Sequence, residues 1–343
     1  MKNTYKTIRI TILLAILGMV SCSSDEAYTP IEANPLIDLN IPADFPALNP
    51  AFYSNQPTKF GVELGEKLFF DPRLSRDNTV ACASCHIPSA AYADHETQGI
   101  GIEGKEGLRN VPPIQNLAFM QFYNWDGSKR QLEKQVIVPI ITPEEMHSSM
   151  LEVIRKIKSD QDYQVLFKKA FGDGIITSER IYQSIAQYEY TLISAASKYD
   201  QVKQNKAEFT AQEREGHALF QVHCATCHSG ELFTDQTFRN IGFPINRDSN
   251  EAGRARVTGD LNDYMSFRVP SLRNIEFTAP YGSFGQFKTL REVLDYMDQG
   301  VINSANLDPI FKENQNRLPL TEEEKEALVA FMLTLSDYNF IKE

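Results

Sequence analysis

The sequence predicts an all-α protein with few or no strands, built in two similar halves. Three observations predict it. Apolar residues recur at helical spacing in stretches opened by capping boxes, strand signals are scarce, and one five-residue motif occurs twice, 142 residues apart.

The motif reads Cys-X-X-Cys-His. Its copies are Cys82-Ala83-Ser84-Cys85-His86 and Cys224-Ala225-Thr226-Cys227-His228. This is the attachment signature of a c-type haem: each sulfur joins a vinyl group and the histidine becomes the proximal iron ligand. On a helix, residues three and four apart share a face, so two thioethers and one imidazole can grip one macrocycle. A cysteine pair alone would also suit a zinc site or a redox dithiol. A zinc site drawing on both pairs, however, has no need of a histidine after each second cysteine. The expectation is two covalent haems, one in each of two cytochrome c-like domains.

The elements follow in chain order. Lys2, Lys6 and Arg9 precede an apolar run from Ile10 to Val20, which reads as a signal peptide over 1–21. The run is too short for a mature membrane span. Met19-Val20-Ser21-Cys22 resembles a bacterial lipobox, so Cys22 is expected to carry lipid; the alternative is an ordinary signal peptide with a leftover cysteine. The expected location is exported, as a periplasmic or cell-envelope lipoprotein. A polar tether over 22–35 leads to an N-terminal domain over 36–200 and a C-terminal domain over 201–343.

Helices are expected over 61–70, before the first motif, and over 210–222, before the second. The latter opens with a Thr210/Glu213 capping box. Others are expected over 178–197, 289–297 and 321–335. The last has a Thr321/Glu324 capping box and an apolar stripe of Leu328, Phe331, Met332 and Leu335, which reads as core. The polar segment 199–209 reads as the linker between domains, and 243–264 as a long loop.

The chain has 34 basic and 45 acidic residues, net −11. Residues 1–21 hold three of the basic ones and no acidic ones, leaving −14 from residue 22 onward. That balance argues against nucleic acid and favours a basic or weakly charged electron donor.

The two motifs are alike, so function turns on the sixth ligand of each iron. Two strong protein ligands make an electron carrier; an open position admits peroxide. Here the sequence resembles the bacterial dihaem cytochrome c peroxidases, a group that includes MauG-type oxidases of protein substrates. The resemblance rests on Leu68-Phe-Phe-Asp-Pro-Arg-Leu-Ser75, Arg109-Asn110, Trp125-Asp126-Gly127, Pro143-Glu-Glu-Met146 and Phe267-Arg-Val-Pro-Ser-Leu-Arg-Asn-Ile-Glu-Phe-Thr-Ala-Pro-Tyr281. It spans roughly 55 to 340.

The resemblance implies that Met297 is the second haem's axial ligand, with Tyr296 as rival and helix packing as the plain alternative. It implies that Glu145 manages protons at a peroxidatic first haem, unless Glu144 and Glu145 are merely solvated. It implies that Trp125, the single tryptophan, couples the haems or fills core. It implies calcium held by Asn110 and the carbonyls of Thr278 and Pro280. Hydrogen peroxide would be the substrate. A small protein such as a monohaem cytochrome c or a cupredoxin would be the donor; the sequence leaves the oligomeric state open, with a homodimer among the options.

Two departures stand out. Many relatives place a histidine on the peroxidatic iron at the position of Ile102, which cannot ligate. His95 reads as a surface residue, with Met146 and His147 as remote alternatives. Tyr281-Gly-Ser-Phe-Gly285 replaces a turn that often carries histidine and aspartate. The expected activity is peroxide reduction, with a MauG-like oxidase or a non-catalytic dihaem electron carrier as rivals.

Overall fold

Two helix crossings of the same design organise the molecule. In a computed structural model that describes residues 32–244 and 251–341, the first is α1 (Lys59–Phe69) against α6 (Ser178–Tyr190). The second is α8 (Ala211–His223) against α12 (Glu322–Leu333). Each crossing has a glycine where the backbones meet. A Cβ on Gly65 would lie 1.9 Å from the Ser184 carbonyl oxygen, and one on Gly216 would lie 1.8 Å from that of Ala327. No side chain fits there, so only glycine permits this approach. The repeated motif thus sits on a repeated scaffold.

The remaining helices are α2 (Cys82–Cys85), α3 (Leu132–Ile141), α4 (Met150–Lys158), α5 (Gln161–Phe171), α7 (Lys198–Lys203), α9 (Ala255–Thr258), α10 (Leu290–Gln299) and α11 (Pro309–Lys312). Among the described residues the one sheet pairs β1 (Phe238–Arg239) with β2 (Phe267–Arg268), antiparallel. The fold is therefore mostly helical, as the sequence predicts. From Ala33 onward the chain forms one packed unit with two hydrophobic cores. The first gathers Leu64, Leu68, Phe69, Ile181 and Ile185; the second gathers Phe220, Leu290, Leu294, Leu328 and Phe331.

Caps explain where the helices start. Glu213 accepts from the Thr210 backbone N–H at 2.7 Å while Thr210 Oγ1 accepts from Glu213 N–H at 3.2 Å. Thr321 and Glu324 repeat the pattern at 2.8 and 3.2 Å.

Three elements differ from expectation, the first being the short α9, which lies inside the expected loop over 243–264. α6 ends at Tyr190 rather than running to 197. Beyond it Asn116 bonds to Leu192 and Ser194 in both directions, and Asp337 Oδ2 accepts from the backbone N–H groups of Ala195 and Ala196. These tertiary partners take the groups that another helical turn would use. Segment 199–209 is also no bare linker. It overlaps α7, capped by Ser197, and Asp200 on that helix is buried and held bidentately by Arg273 at 2.8 and 2.9 Å. In the sequence this position reads as part of a polar linker; in the fold its charge is paired.

The signal segment and Cys22 lie outside the described residues. No helix among the described residues is long and apolar enough to cross a membrane.

Candidate functional site: two haem-attachment centres

Both motifs carry their histidine in the same way. His86 Nδ1 lies 2.8 Å from the Tyr92 carbonyl oxygen and His228 Nδ1 lies 3.0 Å from that of Phe233. Each ring N–H donates to a carbonyl, which fixes the tautomer and leaves Nε2 free as a ligand. The carbonyls are turned inward by left-handed backbone, with φ of 59° at Tyr92 and 52° at Phe233. Such conformations are costly for aromatic residues and cluster at functional sites. Burial pushes His86 down to about 4 and lowers His228, so both imidazoles are neutral.

Burial disfavours the thiolate at all four motif cysteines, unlike an activated redox pair. Burial pushes Cys85 and Cys227 up to about 11 and Cys224 up to about 12, and raises Cys82 further. Reactive Cys-X-X-Cys pairs have lowered values. Among the described residues no three His, Cys, Asp or Glu side chains converge as a metal site, so a zinc site shared by the pairs is not built. What remains fits a haem: one sulfur of each motif, Cys82 or Cys224, packed against a core, and an oriented, neutral imidazole.

The second motif opens on a cavity of about 240 Å³, lined by His228, Met297, Trp125, Arg268, Asn110 and Pro280 among others. Met297 lies on α10, which Lys325 of α12 clamps through Asp295 at 2.9 Å and Asp298 at 3.0 Å. The Met297 carbonyl accepts from Leu318 N–H at 2.8 Å. Tyr296 points elsewhere. Its hydroxyl donates to the Gly242 carbonyl at 2.9 Å, and its ring packs on Phe243 and Phe287.

Trp125 is buried in the wall of that cavity. Its indole N–H donates to the Asn110 carbonyl at 2.8 Å, and its own carbonyl accepts from Arg268 N–H at 2.8 Å. The following turn is pinned by Arg109, which bonds Asp126 at 2.9 Å and Glu251 at 2.8 and 3.0 Å. Asn110 joins the halves through its N–H to the Ser283 carbonyl at 3.0 Å. Asn110, Thr278 and Pro280 line the same cavity. Among the described residues no hydrogen bond ends on Asn110 Oδ1 or on the carbonyls of Thr278 and Pro280.

Beside the first motif lies Glu145. Burial, and secondarily the charge of Glu144, push its carboxyl up to about 7, and its charge is felt at Cys85. Glu144 itself is exposed. Ile102 is fully buried and donates its N–H to the Glu145 carbonyl at 2.8 Å. Its neighbour Gly101 packs so tightly that a Cβ would lie 2.0 Å from the Glu144 carbonyl oxygen. His95 is exposed, Met146 is core, and His147 has a buried Nδ1 without a partner.

Three residues at these centres escape sequence reasoning. Asp94 is buried beside Cys85 with one oxygen unpartnered, and burial raises it to about 6. Glu189 is buried beside Cys82 and raised to about 8, by burial first and Glu133 second. Arg268 stands in the cavity wall. Only the last had a signal, its place inside the block 267–281.

Residues 59–208 match the family model described as di-haem cytochrome c peroxidase. The methylamine utilization protein MauG of Methylorubrum extorquens is 35% identical over 82% of this chain and 80% of its own length. The cytochrome c551 peroxidase of Nitrosomonas europaea is 36% identical over 73% of this chain and 77% of its own. A crystal structure of a MauG-like protein associated with microbial copper homeostasis superposes with a TM-score of 0.81 at 29% identity, covering 90% of this chain and 97% of that one. With paired motifs, paired scaffolds and this degree of likeness, the chain belongs to the di-haem cytochrome c peroxidase and MauG family of oxidoreductases, whose members carry two haems c.

Proposed function

We propose that the protein reduces hydrogen peroxide to water at the first haem, with electrons that enter at the second. The observation that carries this reading is Glu145: a desolvated carboxyl beside the first motif, balanced near neutrality at about 7. Haem iron, when bound through His86, supplies the electrons for cleavage of the O–O bond. Glu145 as carboxylate accepts a proton from the nearer peroxide oxygen and returns it to the farther one, which leaves as water. A carboxyl poised between its two forms at working pH suits that exchange. Ile102 stands where the resemblance places a histidine in many members of the family, and isoleucine could not ligate a haem held by His86, so peroxide would reach that haem without prior reduction.

His228 and Met297 are the ligands of the second haem. The exposure of both to one cavity supports this, as does the engagement of Tyr296 with Gly242. Methionine ligation raises the potential and suits a haem that gathers electrons. Trp125 lies between Asn110 and the Arg268 backbone and couples the two centres. Calcium held by Asn110 Oδ1 and the Thr278 and Pro280 carbonyls ties the halves together; three uncommitted oxygens are the ligands such a cation takes. The excess of acidic residues favours a small basic or weakly charged donor protein, such as a monohaem cytochrome c or a cupredoxin.

The test mixes fully oxidised and half-reduced protein separately with peroxide and follows the haem spectra. Reaction of the oxidised form is expected. A low-spin first haem inert to peroxide in both states overturns the reading and leaves an electron carrier. Relatives named MauG sustain a second reading, oxidation of a protein or organic substrate. Slow peroxide turnover with a donor, despite a fast first reaction, favours it.

A further inference from the structure

We propose that Arg268 binds a propionate of the second haem and that its charge sets that haem's potential. Among the described residues Arg268 and Arg273 are buried, and Arg109 is largely so. Arg109 is paired with Glu251 and Asp126, and Arg273 with Asp200. Arg268 is only 9% exposed, yet no carboxylate among the described residues pairs with it. Its guanidinium reaches only the carbonyls of Asn124 and Val269, each at the 3.5 Å limit.

A buried, unpaired cation is costly, and folds rarely keep one without a partner. Burial lowers Arg268 to about 10, with the nearby Tyr123 hydroxyl opposing, so it stays charged at neutral pH. It lines the cavity shared by His228 and Met297. The group expected in that cavity brings two carboxylates, and the planar guanidinium fork matches a carboxylate bidentately. The backbone of the same residue holds the Trp125 carbonyl, so cofactor, cation and indole share one support.

A fixed cation beside the haem favours the electron-rich ferrous state. The inference needs only the two-haem family, and it stands or falls independently of whether peroxide is the substrate. The test is spectroelectrochemical titration of the dihaem protein, each haem followed separately, in the wild type, Arg268→Gln and Arg268→Lys. The expected result for Arg268→Gln is a fall in the second haem's potential that changes its ferrous-to-ferric ratio tenfold or more, about 59 mV for one electron. The first haem should move far less, and Arg268→Lys should recover most of the difference. Three outcomes overturn the proposal: a second-haem ratio within twofold of wild type in Arg268→Gln, equal falls in both variants, or a shift confined to the first haem. Arg268→Lys keeps the charge; if it alone is obtained, a second-haem ferrous-to-ferric ratio tenfold or more below wild type counts against the proposal.

Discussion

The carboxyl of Glu145 ties pH to rate in a way that can be worked from the structure. Its ordinary value is 4.5 and burial with Glu144 pushes it up to about 7. That is about 3 kcal/mol of bias against the charged form, at 1.36 kcal/mol per unit. The proposed exchange starts from the carboxylate, so kcat/KM for peroxide should rise with pH and level off above about 7. One unit below that midpoint only about one molecule in ten has its base ready. Glu145→Gln removes the base: the rate should drop by roughly 10²- to 10⁴-fold and the acid limb should vanish. Glu144→Gln removes the smaller cause only, so its limb should move to lower pH while the plateau holds. That displacement should shrink in high salt, because Glu144 is exposed and its charge is screened. The assay is steady-state peroxide consumption over pH 5–9 with a donor whose own potential is flat in that range. A Glu145→Gln enzyme that keeps the acid limb, or loses less than tenfold, refutes the reasoning.

Other expectations are simpler to check. Met297→Gln should lower the second haem's potential and alter its oxidised spectrum while leaving the first haem's spectrum intact, whereas Tyr296→Phe should change neither. Gly65→Ala and Gly216→Ala should each destabilise the protein by roughly 3 kcal/mol, the upper end of overpacking costs, because the added carbon meets backbone at 1.9 and 1.8 Å; urea unfolding of the dihaem protein measures it. Asp200→Asn strands the buried Arg273 charge and should cost about 3–5 kcal/mol in the same assay, while Asp200→Leu with Arg273→Met should cost much less.

Much of the fold was legible because its signals are local. A capping box is a contact between residues three apart, so Thr210/Glu213 and Thr321/Glu324 mark helix starts without tertiary information. The extent of α6 was not, since its end is imposed by Asn116 and Asp337, distant in sequence. Nor was the helix at 198–203, whose Asp200 is stabilised by Arg273, 73 residues away.

At the centres, the sequence by itself determined the cofactor. Haem attachment needs only a spacing, and Cys82, Cys85 and His86 with Cys224, Cys227 and His228 carry it within five residues each. Met297 and Tyr296 are neighbours that sequence cannot separate. On a helix adjacent side chains diverge by about 100°, and the rotation of α10, fixed by Lys325, decides that one meets the cavity and the other Gly242. Burial is likewise a property of the whole fold. Glu144 and Glu145 read alike in the chain, yet only Glu145 is desolvated beside the first motif. Arg268 reads like any arginine until the fold buries it with no carboxylate to pair with. Covalent attachment is written in short spacings; ligation, proton affinity and stranded charge depend on dielectric and on partners that only folding brings together.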